Sequence, residues 1–210
     1  VATRLHGERM DSVVRELLDS GATSVIDLGC GHGELLHRLR THAQFVRLIG
    51  IDIDARALAR ARFTLGLDWL RPAAQLDVRF ASFEEAEHDL AGFDAAVMLE
   101  TIEHIDPHRL SRVEHAVFGR MRPNTVLVTT PNQEYNVLHG MPPGRRRHPG
   151  HRFEWSRAQF RQWSSGVAER RGYSVAFVNL GPVDPLRGSS TQMARFTATD
   201  LRTAGCGPLE

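Results

Sequence analysis

The sequence predicts an α/β fold in which a mostly parallel sheet carries helices on both faces and a long loop is inserted near its end. Three observations predict it. Apolar segments of strand length alternate with segments of helical period. A glycine-rich turn joins the first strand to the second helix. The 25 residues from Pro131 to Trp155 then interrupt the pattern, with no apolar period of their own. A chain of 210 residues, 41% hydrophobic and 24% charged, can bury one sizeable core and is far from a disordered composition.

The elements follow in order. From Glu8 to Ser20, Met10, Val13, Val14, Leu17 and Leu18 recur at helical spacing, and Gly21 closes the helix. Ser24 to Leu28 reads as a short buried strand running into Gly29-Cys-Gly-His-Gly33. Leu35, Leu36 and Leu39 mark a second helix, Val46 to Asp52 a second strand, and Asp54 the N-cap of a helix reaching Leu65. Val78 to Ala81, Phe93 to Leu99 and Thr125 to Thr130 are strands three to five. Between the last two lies a helix from Pro107 to Met121, with proline in the first turn, where its missing N–H does no harm. A helix over 156–171 and two strands near 173–179 and 191–197, read as antiparallel, complete one domain over 1–210. Ligands of such sheets bind at the carboxyl ends of the strands.

The net charge of +1 conceals an uneven distribution, and all 26 basic residues are arginine. Residues 1–106 hold 11 arginines against 18 acids, whereas residues 107–210 hold 15 against 7. The second half is a candidate surface for phosphates. Cys30 and Cys206 sit in no paired spacing, which points to a reducing compartment and a cytoplasmic setting. No segment approaches the ~20 apolar residues of a membrane helix, so no membrane partner is expected. The chain begins at Val1 and reads as a piece of a longer polypeptide.

Asp27-Leu-Gly-Cys-Gly-His-Gly33 lies between strand and helix, where glycines let a ligand approach the backbone and helix-terminal N–H groups. A dinucleotide fingerprint would place a further glycine at Glu34. Asp52, at the end of the next strand, is placed to accept hydrogen bonds from two ribose hydroxyls. This arrangement resembles the S-adenosylmethionine site of class I methyltransferases, whose fold is Rossmann-like. The resemblance implies that Asp27, Gly29 and Gly31 hold the amino-acid part, that Asp52 holds the ribose with Ile53 beside it, and that Ser82 lies near the adenine. Cys30 falls among these cofactor positions and reads as a small packing residue.

At the end of the fourth strand stands Glu100-Thr-Ile-Glu103-His104. If this segment turns helically, two carboxylates and an imidazole share one face, as a metal site requires. The same string also occurs in small-molecule methyltransferases that bind no metal there. A metal-independent class I methyltransferase acting on a small metabolite is therefore the alternative reading. Two further strings accompany it: Thr129-Thr-Pro-Asn-Gln-Glu-Tyr-Asn136 and Arg147-His-Pro-Gly-His-Arg-Phe-Glu-Trp-Ser-Arg157.

With the closing Thr191-Gln-Met-Ala-Arg-Phe196, these strings resemble the family that 2′-O-methylates the 3′-terminal nucleotide of RNA, comprising small-RNA methyltransferases and bacterial RNA-repair relatives. The resemblance covers about Arg4 to Phe196. It implies that Glu100, Glu103, His104 and His151 hold a divalent metal beside the donor. A mixed oxygen and nitrogen ligand set suits Mn²⁺ and admits Mg²⁺. The bacterial branch further implies RNA 3′ ends, including those of cleaved tRNA, as substrate, and end-healing and ligase proteins as partners. The chain departs from the family at Gly150, where an acid usually precedes the second histidine, and at Ser82-Phe-Glu-Glu-Ala-Glu, where Ser-Leu-x-Tyr is more usual. The first departure leaves His151 without the carboxylate that commonly orients a ligating imidazole.

Methyl transfer to a ribose hydroxyl needs alignment and a base. His104, His148 and a hydroxide on the metal are the candidates, since a ligating imidazole cannot also take a proton at its bound nitrogen. Arg145, Arg146, Arg147, Arg152 and Arg157 form the densest basic stretch and are expected to contact RNA phosphates. Asn132 and Tyr135 are expected to contact the terminal nucleotide, and Phe153 and Trp155 read equally as base-stacking or core residues.

Overall fold

The computed structural model describes residues 4–67, 75–85 and 90–199. Cys206, and Ala86 and Glu87 of the tract after the third strand, lie outside the described residues.

Seven strands form one sheet in the order β3-β2-β1-β4-β5-β7-β6. Strands β1 (Ser24–Leu28), β2 (Arg47–Asp52), β3 (Leu76–Phe80), β4 (Ala95–Leu99) and β5 (Thr125–Pro131) run parallel. The long hairpin β6 (Tyr173–Asp184) and β7 (Gly188–Ala198) is antiparallel, with β7 inserted beside β5. The expected strands are all present, and both hairpin strands extend beyond the expected bounds.

Side chains alternate across the parallel strands, so the sheet buries both faces. Val25, Leu48, Ala95 and Val97 pack under α1 (Arg4–Asp19), α2 (Glu34–Leu39) and α3 (Ala55–Leu65), through Val13, Leu17, Leu35 and Leu58. Ile26, Ile49, Ala96 and Val128 face the opposite way, against Val113, Phe118, Phe160 and Val167. The last two belong to α5 (Arg157–Arg171), which opens with a reciprocal Ser156–Gln159 capping box. Asp54 caps α3 as expected, accepting from the N–H groups of Arg56 and Ala57.

Two segments differ from the sequence expectation. The helix expected from Pro107 to Met121 is a 3-10 turn (Pro107–Arg109), a single α-turn α4 (Leu110–Val113) and a π-helix (Glu114–Met121). Its apolar spacing does not distinguish these periods over so few turns. The wide turn begins at buried Glu114, which pairs with Arg170 and Arg171 of α5. The stretch Pro131 to Trp155 is likewise not a bare loop. It starts with a 3-10 helix (Gln133–His139) capped by Asn132, and an isolated bridge joins Asn132 to Trp155.

Strand order reverses between β1 and β4, so the carboxyl ends of these two strands diverge and leave a crevice. Both conspicuous motifs, the glycine turn after β1 and the acid-histidine segment after β4, stand at that crevice.

Candidate active site

The glycine turn is held by the neighbouring strand. Gly29 and Cys30 donate their N–H groups to the Ile51 carbonyl at 2.8 and 3.0 Å. Gly29 adopts φ 85°, and a Cβ there would lie 2.6 Å from Thr101 Cγ2, so neither conformation nor space admits a side chain. Asp52 is fixed from both sides: Gly31 N–H donates to Oδ2 and Asp54 N–H to Oδ1, each at 2.8 Å. Burial, then the charge of Asp52, pushes the Asp27 carboxyl up to about 7. Cys30 is buried, and burial followed by the Asp27 charge pushes its thiol far up, which fits a packing role and not a nucleophile.

A cavity of ≈ 230 Å³ borders Met10, Asp27, Gly29, Gly31 and Glu100. A second, of ≈ 340 Å³, is lined by Asp52, Ile53 and Ser82 together with Glu100 and His104. Gly29 lines both. Residues expected to bind the donor and two of the four expected metal ligands, Glu100 and His104, therefore line one crevice.

The segment after β4 turns sharply. Glu100 takes a left-handed φ of 53°, and Ile102–His104 form a 3-10 turn. Glu100 folds back over β5: its N–H donates to Thr129 Oγ1 at 3.0 Å, and the Thr129 hydroxyl donates to Glu100 Oε1 at 3.1 Å. Arg9 of α1 approaches Glu100 Oε2 to 3.3 Å and also donates to Thr191 of β7. Glu103 is fully buried. The Thr130 hydroxyl donates to its Oε2 at 3.0 Å, while Oε1 has no hydrogen-bond partner. Burial and then the Glu100 charge hold the Glu103 carboxyl well above the usual carboxylate range.

The distant histidine string is stitched to this turn by its backbone. Arg152 N–H donates to the Glu103 carbonyl at 2.6 Å, and His104 Nδ1 lies 3.2 Å from the Gly150 carbonyl. The rings of His104 and His151 come to 4.8 Å between centroids. Burial, then His151, holds the His104 imidazole below its ordinary value, which keeps it neutral. His151 finds its carboxylate at Glu154, with Nδ1 2.6 Å from Oε1 and both side chains buried. The orienting acid thus follows the histidine by three residues instead of preceding it. The signal was present in the sequence as the glutamate of His-Arg-Phe-Glu.

Ligand atoms of His104, His148 and His151 all lie within 4.8 Å of one another, a compactness that Glu100 and Glu103 do not share. Glu100 is drawn aside by Thr129 and Arg9. The buried, partnerless Glu103 Oε1 and two imidazoles whose Nδ1 atoms are engaged by Gly150 and Glu154 nevertheless make a donor set that fits a hard to borderline divalent cation.

The expected RNA-contact residues divide. Arg145 and Arg152 are exposed, Arg152 3.7 Å from Asp106. Arg146 is exposed and donates to the His151 carbonyl. Arg147 instead turns inward, donating to Asn136 Oδ1, Ser190 Oγ and the Asn132 carbonyl. Asn132 is fully buried, donating to the Arg187 and Ser189 carbonyls and accepting from Glu134 N–H. Arg157 is bound by Glu134 and the Leu186 carbonyl. These three hold the inserted segment to the hairpin; for buried Asn132 and partly buried Arg147 the partners are those that buried polar groups require. Tyr135 packs against His139, whereas Phe153 and Trp155 stack on each other at 4.3 Å within the core.

The Methyltransferase domain family matches residues 26–127, a span that contains every donor-side residue just described. The fold and this crevice are those of a class I S-adenosylmethionine-dependent methyltransferase. Within that class the chain belongs to the small RNA 2′-O-methyltransferase family. It is 40% identical to the methyltransferase domain of bacterial CtHen1, covering 94% of this chain and 100% of that one, with a TM-score of 0.84. It is 36% identical over 184 residues to the small RNA 2′-O-methyltransferase of Xenopus tropicalis, covering 82% of this chain and 49% of the relative. Small RNA methyltransferase HEN1 superposes with a TM-score of 0.83 at 30% identity, over 92% of this chain and 25% of that one. The chain spans about half or less of the length of the curated relatives it matches. Among the described residues, no helix is long and apolar enough to cross a membrane.

Proposed function

We propose that this domain transfers a methyl group from S-adenosylmethionine to the 2′-hydroxyl of the 3′-terminal nucleotide of RNA in a metal-dependent reaction. The observation that carries the reading is the shared crevice: Asp52, Ser82, Glu100 and His104 all line one cavity. The names of the relatives supply the acceptor class.

Asp27, Gly29 and Gly31 hold the amino-acid part of the donor, and Asp52, already fixed by two backbone N–H groups, accepts from the ribose. Glu100, Glu103 and His151 hold the ion, Mn²⁺ or Mg²⁺, and His104 either completes the set or serves as base. When bound, the ion supplies charge neutralisation and lowers the pKa of the attacking hydroxyl. Methyl transfer breaks the carbon–sulfur bond of the sulfonium and forms a carbon–oxygen bond, and an imidazole lone pair not engaged by the ion takes the hydroxyl proton. Selection of a chain end follows if the site reads the vicinal 2′- and 3′-hydroxyls, since an internal 3′ oxygen is esterified.

Labelled donor, Mn²⁺ and an RNA ending in 2′,3′-hydroxyls should yield label at the terminal ribose, lost on chelation and restored by Mn²⁺. Equal labelling of a 3′-phosphorylated RNA, or activity that survives chelation, overturns the reading and favours a metal-independent enzyme of small metabolites. The resemblance to the bacterial branch supports a narrower reading: ends of cleaved RNA, tRNA included, methylated in the cytoplasm alongside end-healing and ligase proteins.

A further inference from the structure

Gly150 and Glu154 together sort the three imidazoles by which nitrogen keeps a lone pair. A carbonyl can only accept and an amide N–H can only donate, so each contact fixes a tautomer. The Gly150 carbonyl takes the Nδ1–H of His104 at 3.2 Å, and the Glu154 carboxylate takes that of His151 at 2.6 Å. Both rings then carry their lone pair on Nε2. The Gly150 N–H donates to Nδ1 of His148 at 3.0 Å, so that nitrogen holds the lone pair and the ring N–H lies on Nε2. Three neighbouring histidines thus present two lone pairs and one N–H donor.

His148 is exposed and borders a groove of ≈ 590 Å³ together with Arg145, Arg146 and His151. His148 and His151 belong both to this groove and to the imidazole cluster with His104, so the groove adjoins the cluster. An imidazole with an N–H to offer, beside two exposed arginines, complements an anionic oxygen and not a cation. Any RNA whose last ribose reaches the crevice brings one such group close behind it, the phosphodiester on its 5′ side.

We propose that His148 is a substrate-binding residue, donating its Nε2–H to the phosphodiester that precedes the terminal ribose, and is neither a metal ligand nor the base. This rests on the RNA reading above. The contact is blind to base identity, as phosphate contacts are. A Cβ at Gly150 would lie 3.0 Å from His148 Nδ1 and 3.2 Å from His104 Nδ1, so a side chain there requires both rings to give by a few tenths of an ångström.

The test compares wild type, His148→Ala and His148→Gln, the last keeping an N–H donor. Binding of a fluorescent RNA with a 2′,3′-hydroxyl end is measured with S-adenosylhomocysteine present, Mn²⁺ binding by calorimetry, and methyl transfer across pH. His148→Ala should weaken RNA binding and raise KM about 10-fold, the size of one hydrogen bond to a charged acceptor. His148→Gln should recover most of this, with Mn²⁺ affinity and the pH profile of kcat unchanged. Replacing the last phosphodiester by a methylphosphonate should weaken wild type and leave His148→Ala little changed. Loss of Mn²⁺ affinity, a shifted pH profile at constant KM, or an equal methylphosphonate penalty in both proteins overturns the proposal. Wild type that methylates no RNA overturns the RNA reading itself; losses confined to the variants bear on His148 alone.

Discussion

His151 and Glu154 form a buried hydrogen-bonded pair at 2.6 Å, and that pairing decides which imidazole nitrogen is available to a cation. Glu154 also accepts from Asn136 and from the Arg147 N–H, so the carboxylate is itself held in place. Glu154→Gln keeps the shape and removes the charge. Mn²⁺ affinity should fall by roughly 10- to 100-fold, the usual cost of losing such a partner, with donor affinity unchanged when both are measured by calorimetry.

Glu103 is the buried carboxylate whose Oε1 has no partner and whose pKa is held well above the ordinary range. A raised folded-state pKa means that the native protein binds the proton more tightly than the unfolded chain, so stability without metal falls as pH rises beyond the ordinary carboxylate value. Glu103→Gln should therefore raise the thermal midpoint of metal-free protein, more near pH 8 than near pH 5. The same variant should show no Mn²⁺-dependent methyl transfer. A midpoint lowered equally at both pH values would contradict the assignment.

The Asp27 carboxyl, pushed up to about 7, gives donor binding a pH signature. The stability associated with the protonated form is present below the ordinary aspartate value and is lost as pH rises through about 7. At ~1.4 kcal/mol per pH unit this amounts to on the order of 4 kcal/mol. A donor ammonium beside Asp27 offsets that loss. S-adenosylhomocysteine should then raise the thermal midpoint more near pH 8 than near pH 6, and Asp27→Asn should flatten the difference.

Arg145 and Arg147 are two residues apart and should behave oppositely. Arg147→Ala leaves Asn136, Ser190 and the Asn132 carbonyl without their donor, and should cost about 2–4 kcal/mol in urea unfolding. Arg145→Ala should leave stability within about 0.5 kcal/mol, as an exposed substitution does. It should weaken RNA binding and reduce the salt dependence of that binding by about one charge.

What the sequence made legible was local. The glycine turn, the Asp54 cap and the Asp52 position at a strand end are set by residues a few places apart, and each appears where expected. The acid-histidine residues could be picked out from their strings, but not their support: Thr130 on Glu103 and Arg9 on Glu100 are joined across 27 and 91 positions by the sheet. The inward turn of Arg147 and Asn132 was hidden for a related reason. A polar residue in an aperiodic stretch looks exposed until the hairpin that it contacts is in place. The π-helix stayed hidden because its apolar residues match an ordinary helix over so short a span.

The insertion of β7 between β5 and β6 has a consequence for biosynthesis. This strand supplies Thr191 to Arg9, Ser190 to Arg147 and His139, and Gln192 to the Trp155 carbonyl. The glycine turn and strands β1 to β5 can emerge from the ribosome and pair long before it. The inserted segment and the arginine beside Glu100 gain their anchors only once residues 188–198 have been translated. A nascent chain stalled before that point would lack these anchors and the buried Met193, Ala194 and Phe196, so the inserted segment takes its final place only when the last strand joins the sheet.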